Sequence, residues 1–130
     1  MVGDVYEYAS AALASGMSMF RIYSGATWVG TSRLEYGDPP MGVSFGRFIP
    51  GLGYSAIQAE CKWNHQDQSN LHLSAKTPSG EIIRCAGVSI LEANGDIEVN
   101  VLGISHPEYA ELFPRHVRQY EASVHSQRQA

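Results

Sequence analysis

An α+β fold is what this sequence predicts: a curved, mainly antiparallel sheet of about six strands, a short N-terminal helix, and a C-terminal helix packed on the sheet. Two observations carry the expectation. Segments with period-two alternation follow one another across tight turns, which pairs neighbours antiparallel. Segments with helical periodicity lie at the two ends of the chain, not between strands as in a doubly wound α/β sheet.

The elements follow in order. Residues 4–15 read as a helix, with Asp4 as N-cap, Glu7 three residues on and Gly16 as the stop. Residues 1–16 read either as an extension upstream of the core domain or as a segment not native to it. Phe20 and Ile22 alternate with Arg21 and Tyr23, and Ser24-Gly25-Ala26 turns the chain into a second strand over Thr27–Tyr36, with Gly30 marking a bulge. Asp38-Pro39-Pro40 ends that strand, because proline cannot donate to a ladder. Val43–Phe48 reads as a third strand and Tyr54–Glu60 as a short helix. Residues 62–70 read as a surface loop or edge strand.

A three-stranded antiparallel meander is expected next. Leu71, Leu73 and Ala75 alternate with His72, Ser74 and Lys76. Glu81–Ala93 is apolar on both faces and therefore central, and Asn94-Gly95 turns it into the Ile97–Val101 strand. Ser105-His106-Pro107-Glu108 has the capping-box spacing. Tyr109, Leu112, Phe113, His116, Val117 and Tyr120 then form one apolar stripe. Pro114 either kinks this helix or starts a second one. Residues 122–130 read as a frayed tail.

The 130 residues suit a single domain, residues 1–130. With 17% charged residues and a formal net charge of −4, a highly charged disordered chain, a collagen-like repeat and a basic nucleic-acid module are all disfavoured. The seven arginines and two lysines are spread along the chain. Cys61 and Cys85 are too few for a disulfide scaffold and read as reduced thiols, hence a cytoplasmic protein, with one Cys61–Cys85 bridge as the alternative. Acidic Asp4 and Glu7 and the short apolar run Ala11–Ala14 do not read as a secretory signal.

Chemistry is sparse. His65, Asp67 and His72 carry metal-binding or acid–base groups, but H-x-D-x₄-H is not an established ligand spacing, and the reading is solvated surface residues with no metal and no cofactor. Gly51-Leu52-Gly53-Tyr54-Ser55 places serine one position too late for a nucleophile elbow. No phosphate loop, dinucleotide fingerprint or zincin motif is present. The balance leans against an enzyme.

The distinctive segment is Tyr36–Tyr54, where adjacent prolines stiffen a loop and charges sit among aromatics. Asp38, Met41, Arg47, Phe48 and Tyr54, with His72 from the meander's outward face, form the candidate binding set. That outward face also carries Ser74, Lys76, Arg84, Glu98 and Asn100. The leading expectation is a small accessory domain that binds another protein, of inhibitor or immunity type, with a homodimer compatible and no nucleic-acid or membrane partner. The alternative is a small-ligand binder or enzyme with a pocket between sheet and helix, which requires Asp38, Arg47 and a histidine to converge.

Overall fold

The computed structural model describes residues 19–129, with side chains through residue 126. The helix expected over residues 4–15 lies outside the described residues. The α+β class, the antiparallel pairing and the C-terminal helix are all present, but the sheet is not single. Eight strands among the described residues form two four-stranded antiparallel sheets.

The strands are β1 (Phe20–Ser24), β2 (Thr27–Ser32), β3 (Tyr36–Asp38), β4 (Val43–Arg47), β5 (Ile49–Pro50), β6 (Leu73–Lys76), β7 (Gly87–Ala93) and β8 (Asp96–Leu102). The helices are α1 (Gln58–Trp63), α2 (Tyr109–Leu112) and α3 (Pro114–Gln129). One sheet has the order β5-β2-β1-β6 and the other β3-β4-β8-β7. Ile22 and Val29 from the first sheet, Ile90, Val99 and Val101 from the second, and Phe113 from the α2–α3 junction join one buried core.

Local chemistry explains the hairpins. In the β7–β8 turn Asn94 and Gly95 both have positive φ, 55° and 83°, as a type I′ turn requires. The β1–β2 pair shifts register opposite Val29, where Ile22 faces Gly30 and Tyr23 faces Trp28, so the bulge adjoins Gly30 as expected. Pro114 starts a second helix, with α2 ending at Leu112.

The extra sheet arises because the chain crosses between layers. The strand expected over Thr27–Tyr36 breaks at Leu34, which is fully buried with φ of 45°. A branched apolar residue in this left-handed region costs roughly 1–3 kcal/mol and persists only when its surroundings hold it. Here Leu34 N–H donates to Ser32 Oγ at 3.0 Å, and Leu34 O accepts from His116 Nε2 at 2.8 Å and Ser44 Oγ at 3.2 Å. The chain returns to the first sheet through Phe48, whose N–H donates to Ile97 O at 2.9 Å.

The expected meander is corrected by the third crossing. Strand β6 pairs with β1, not β7. The segment expected as one strand over Glu81–Ala93 bridges Lys76 through Ile82 and His106 through Arg84, and becomes a continuous strand only at Gly87. Strand β7 is therefore an edge strand, not a central one. Of its apolar residues, Ile90 faces the core and Leu91 the outer face, while α1 packs against the strand and the buried Gln68 covers its free edge. Gln68 Nε2 donates to Ile90 O and Ile90 N–H donates to Gln68 Oε1, both at 2.8 Å. One side-chain amide thus supplies the pairing a further strand would give, which blunts the edge.

Three smaller expectations also change. Leu71 ends a 3₁₀ turn and His72 follows with φ of 49°, so His72 is a turn residue and not an outward strand residue. Ser105 Oγ donates to Arg84 O at 3.3 Å, and Glu108 is the α2 N-cap without a side-chain cap bond, so no capping box forms. Residues 122–129 are helical, the last half of α3. Among the described residues, no helix is long and apolar enough to cross a membrane.

Candidate functional site

The expected binding residues separate into four places. Asp38 pairs with Val43 at one end of the β3–β4 hairpin, and Met41 sits in the adjoining 3₁₀ turn, 68% exposed. Arg47 lies at the opposite end of β4, across from Glu98. Phe48 and Tyr54 are core residues, 2% and 4% exposed, with rings 5.3 Å apart. His72 is exposed on the other sheet's side, its carbonyl accepting from Gly25 N–H at 3.0 Å. Asp38 and Arg47 thus do not converge with a histidine on one pocket.

The polar residues of the 60–72 segment serve local structure. His65 Nε2 donates to Cys61 O at 2.7 Å, and Asp67 Oδ1 accepts from Ser69 N–H at 3.0 Å; the Ser69 hydroxyl, and after it that N–H, hold the Asp67 carboxyl below the usual carboxylate range. Among the described residues, no group of three or more His, Cys, Asp and Glu side chains is placed to hold a metal ion. Cys61 and Cys85 are both free. Burial pushes the Cys61 thiol up to about 11, with Glu92 and Glu60 adding to it against a Tyr54 hydrogen bond. Burial also raises the Cys85 thiol. Neither is an activated nucleophile.

A polar lock joins the Tyr54 turn to β7. Tyr54 Oη donates to Glu92 Oε1 at 2.6 Å, Gln58 Nε2 reaches the same carboxylate at 3.4 Å, and Lys62 Nζ lies 3.7 Å from Glu92 Oε2. The Tyr54 hydrogen bond is the main reason the Glu92 carboxyl is lowered, and burial with that same bond raises the Tyr54 hydroxyl far above its usual range.

Ser44 and His116 suggest a nucleophile and base at first sight, with Oγ 3.4 Å from Nε2. Their hydrogen bonds exclude that use. Ser44 is fully buried and its hydroxyl faces two carbonyls, Leu34 O and Tyr36 O at 3.1 Å. Nε2 donates to Leu34 O and so cannot take a serine proton. The pair pins the Leu34 crossing.

What remains open is the outer face of the β3-β4-β8-β7 sheet. The register places Tyr36 beside Phe45, Phe45 beside Asn100, and Asn100 beside Ser89. A second row runs Arg47, Glu98, Leu91. Alternation adds Val43 and Leu102 to the same face. Tyr36 is 60% exposed and stacks on Phe45 with centroids 5.5 Å apart. A shallow depression of about 470 Å³ lies beside this pair, lined also by Arg47, Leu91, Asp96 and Glu98. The other sheet's outer face contrasts with it. There Arg21 donates to Pro78 O at 3.3 Å, and Lys76 Nζ lies 4.5 Å over the Tyr23 ring.

The segment Tyr36–Tyr54 was legible as distinctive, but its face was not. Tyr36 and Phe45 are selected only by the pairing register, which alternation alone does not reveal. Comparison with protein families, curated proteins and solved structures finds no match to this chain.

Proposed function

We propose that this domain is a protein-binding module whose recognition surface is the outer face of the β3-β4-β8-β7 sheet. The observation that carries the reading is the exposed Tyr36, stacked on Phe45 at the edge of an open depression. Aromatic anchors of this kind dominate interface energetics. Asp38, Asp96 and Glu98 outnumber Arg47 around the anchor, and the whole chain carries −4. The partner is therefore a protein presenting an apolar or aromatic group ringed by lysine or arginine. An inhibitor or immunity role, in which a small acidic domain covers a basic surface, is the form this takes. We assign the module to the cytoplasm, supported by two unpaired cysteines.

Selection of random displayed peptides on the purified domain tests the reading. Enriched peptides should combine an aromatic residue with lysine or arginine. Their affinity should fall about tenfold or more in Tyr36→Ala and in Phe45→Ser, the scale of a hot-spot truncation. Unchanged melting temperatures would show that these variants fold. Enriched peptides that bind both variants as tightly as wild type would overturn the assignment.

A further inference from the structure

A cleft of about 520 Å³ opens between the β2–β3 crossing and the α2–α3 junction, away from the proposed recognition face. Its apolar lining includes Phe20, Leu34, Leu112 and Phe113. Phe20, Leu34 and Phe113 are also core residues, so the cleft reaches the flank of the main core. We infer that this cleft is the docking groove for residues 4–15 of the same chain, which lie outside the described residues, with Val5, Tyr8, Ala12 and Leu13 turned into it.

The place where the described chain begins is the first argument. Strand β1 opens with Phe20, whose ring stacks on Phe113 with centroids 5.3 Å apart. Phe20 pairs with Ser32 of β2, and Arg21 pairs with Lys76 of β6. The same antiparallel register brings Met19 toward Arg33 on one side and Pro78 on the other. Both of those residues line the cleft. The preceding chain therefore enters the fold at the rim of this groove.

Reach and pattern fit the same occupant. Residues 14–18 can span about 16 Å when extended, enough to turn the chain back over the groove. A helix over residues 4–15 would be about 18 Å long. Val5, Tyr8 and Ala12 recur at helical spacing, with Leu13 beside them. A helix this short is marginal in water and needs a surface on which to bury that stripe.

The groove sets no charge requirement that would favour a free ligand. Its charged walls balance, Arg33 and Arg115 against Glu35 and Glu111, so the apolar floor decides what fits. A segment joined to the rim by a few residues is held at an effective concentration in the millimolar range, which places it ahead of an untethered occupant.

Nuclear Overhauser contacts in the full-length chain test this. Tyr8 and Leu13 should show contacts to Leu112 and Phe113 within one chain. Chymotrypsin cleavage after Tyr6 and Tyr8 should be slow, and Leu13→Asp should speed it by about tenfold or more through loss of one buried leucine. That substitution lies outside the main core and leaves the rest of the fold in place. Equal cleavage rates in wild type and Leu13→Asp, or no contact from Tyr8 and Leu13 to Leu112 and Phe113, would overturn the assignment. In a sample mixing labelled and unlabelled chains, contacts found only between copies would put a second copy's segment in the groove and would overturn it too. None of these outcomes depends on Tyr36 or Phe45, so the groove and the recognition face are tested separately.

Discussion

Replacing Gln68 by alanine removes the one side chain that stands in for a strand along β7. The wild-type amide makes three hydrogen bonds: two of 2.8 Å with the Ile90 backbone and one of 3.0 Å to Asn64 O. Gln68 is 7% exposed and Ile90 is fully buried, so the freed Ile90 groups are shielded from water. Each hydrogen bond contributes about 0.5–1.5 kcal/mol net, and each buried group left unsatisfied costs about 1–3 kcal/mol. Partial entry of water relieves some of that cost, so Gln68→Ala should lose about 2–4 kcal/mol. That is a large share of the ~5–15 kcal/mol typical of a domain. Urea unfolding should show a lower midpoint with an unchanged m-value. Hydrogen exchange at the Ile90 amide should accelerate more than at Val99, which sits in the sheet interior on β8. A loss under about 0.5 kcal/mol, within the range of an ordinary surface substitution, would refute the edge-blunting argument.

Other expectations follow from the same geometry. Gly37→Ala should destabilise by about 1–3 kcal/mol, since the added methyl would collide with the Tyr109 hydroxyl and lie 2.6 Å from the His116 ring; calorimetry measures this. Ser44→Ala should cost about 1–2 kcal/mol by loosening the Leu34 crossing, read as a shift in urea midpoint. In native protein a thiol reagent should label Cys85 ahead of Cys61, which is fully buried with its thiol pushed up to about 11; mass spectrometry of the labelled chain locates the site, and faster labelling of Cys61 contradicts the packing. Glu92 has a folded pKa below its ordinary 4.5, so its stabilisation is present above that value and is lost as pH falls through the lowered one. Glu92→Gln should therefore be less stable than wild type at neutral pH, with the gap closing as pH drops below about 4.5; a constant gap down to pH 2 would contradict this.

How much of this was legible depends on whether the signal is local. Asn94-Gly95 and Pro114 act through their own backbone geometry, and the turn and the helix start fall where the residues put them. Pairing partners are not local. Leu71–Lys76 alternates convincingly, but alternation says only that a segment is extended, and β6 joins β1 across a distance the pattern does not encode. The break at Leu34 was illegible for a related reason. No glycine or asparagine marks the left-handed residue, because Ser32, Ser44 and His116 hold it from elsewhere in the chain. The same limits apply to the sites. Phe48 and Tyr54 look like recognition aromatics in sequence, yet they are core because β4 ends and the chain changes sheets at Phe48. His116 was visible as one member of an apolar stripe, and only its neighbours show that it pins the Leu34 crossing.

The central claim is that recognition uses the outer face of the β3-β4-β8-β7 sheet. Mapping amide shifts while titrating a selected aromatic, basic peptide into the labelled domain tests it most directly. The account predicts shifts concentrated at Tyr36, Phe45, Leu91 and Glu98, with Arg21, Tyr23 and Lys76 unmoved. Shifts concentrated on Arg21, Tyr23 and Lys76 instead, with Tyr36 and Phe45 silent, would contradict it.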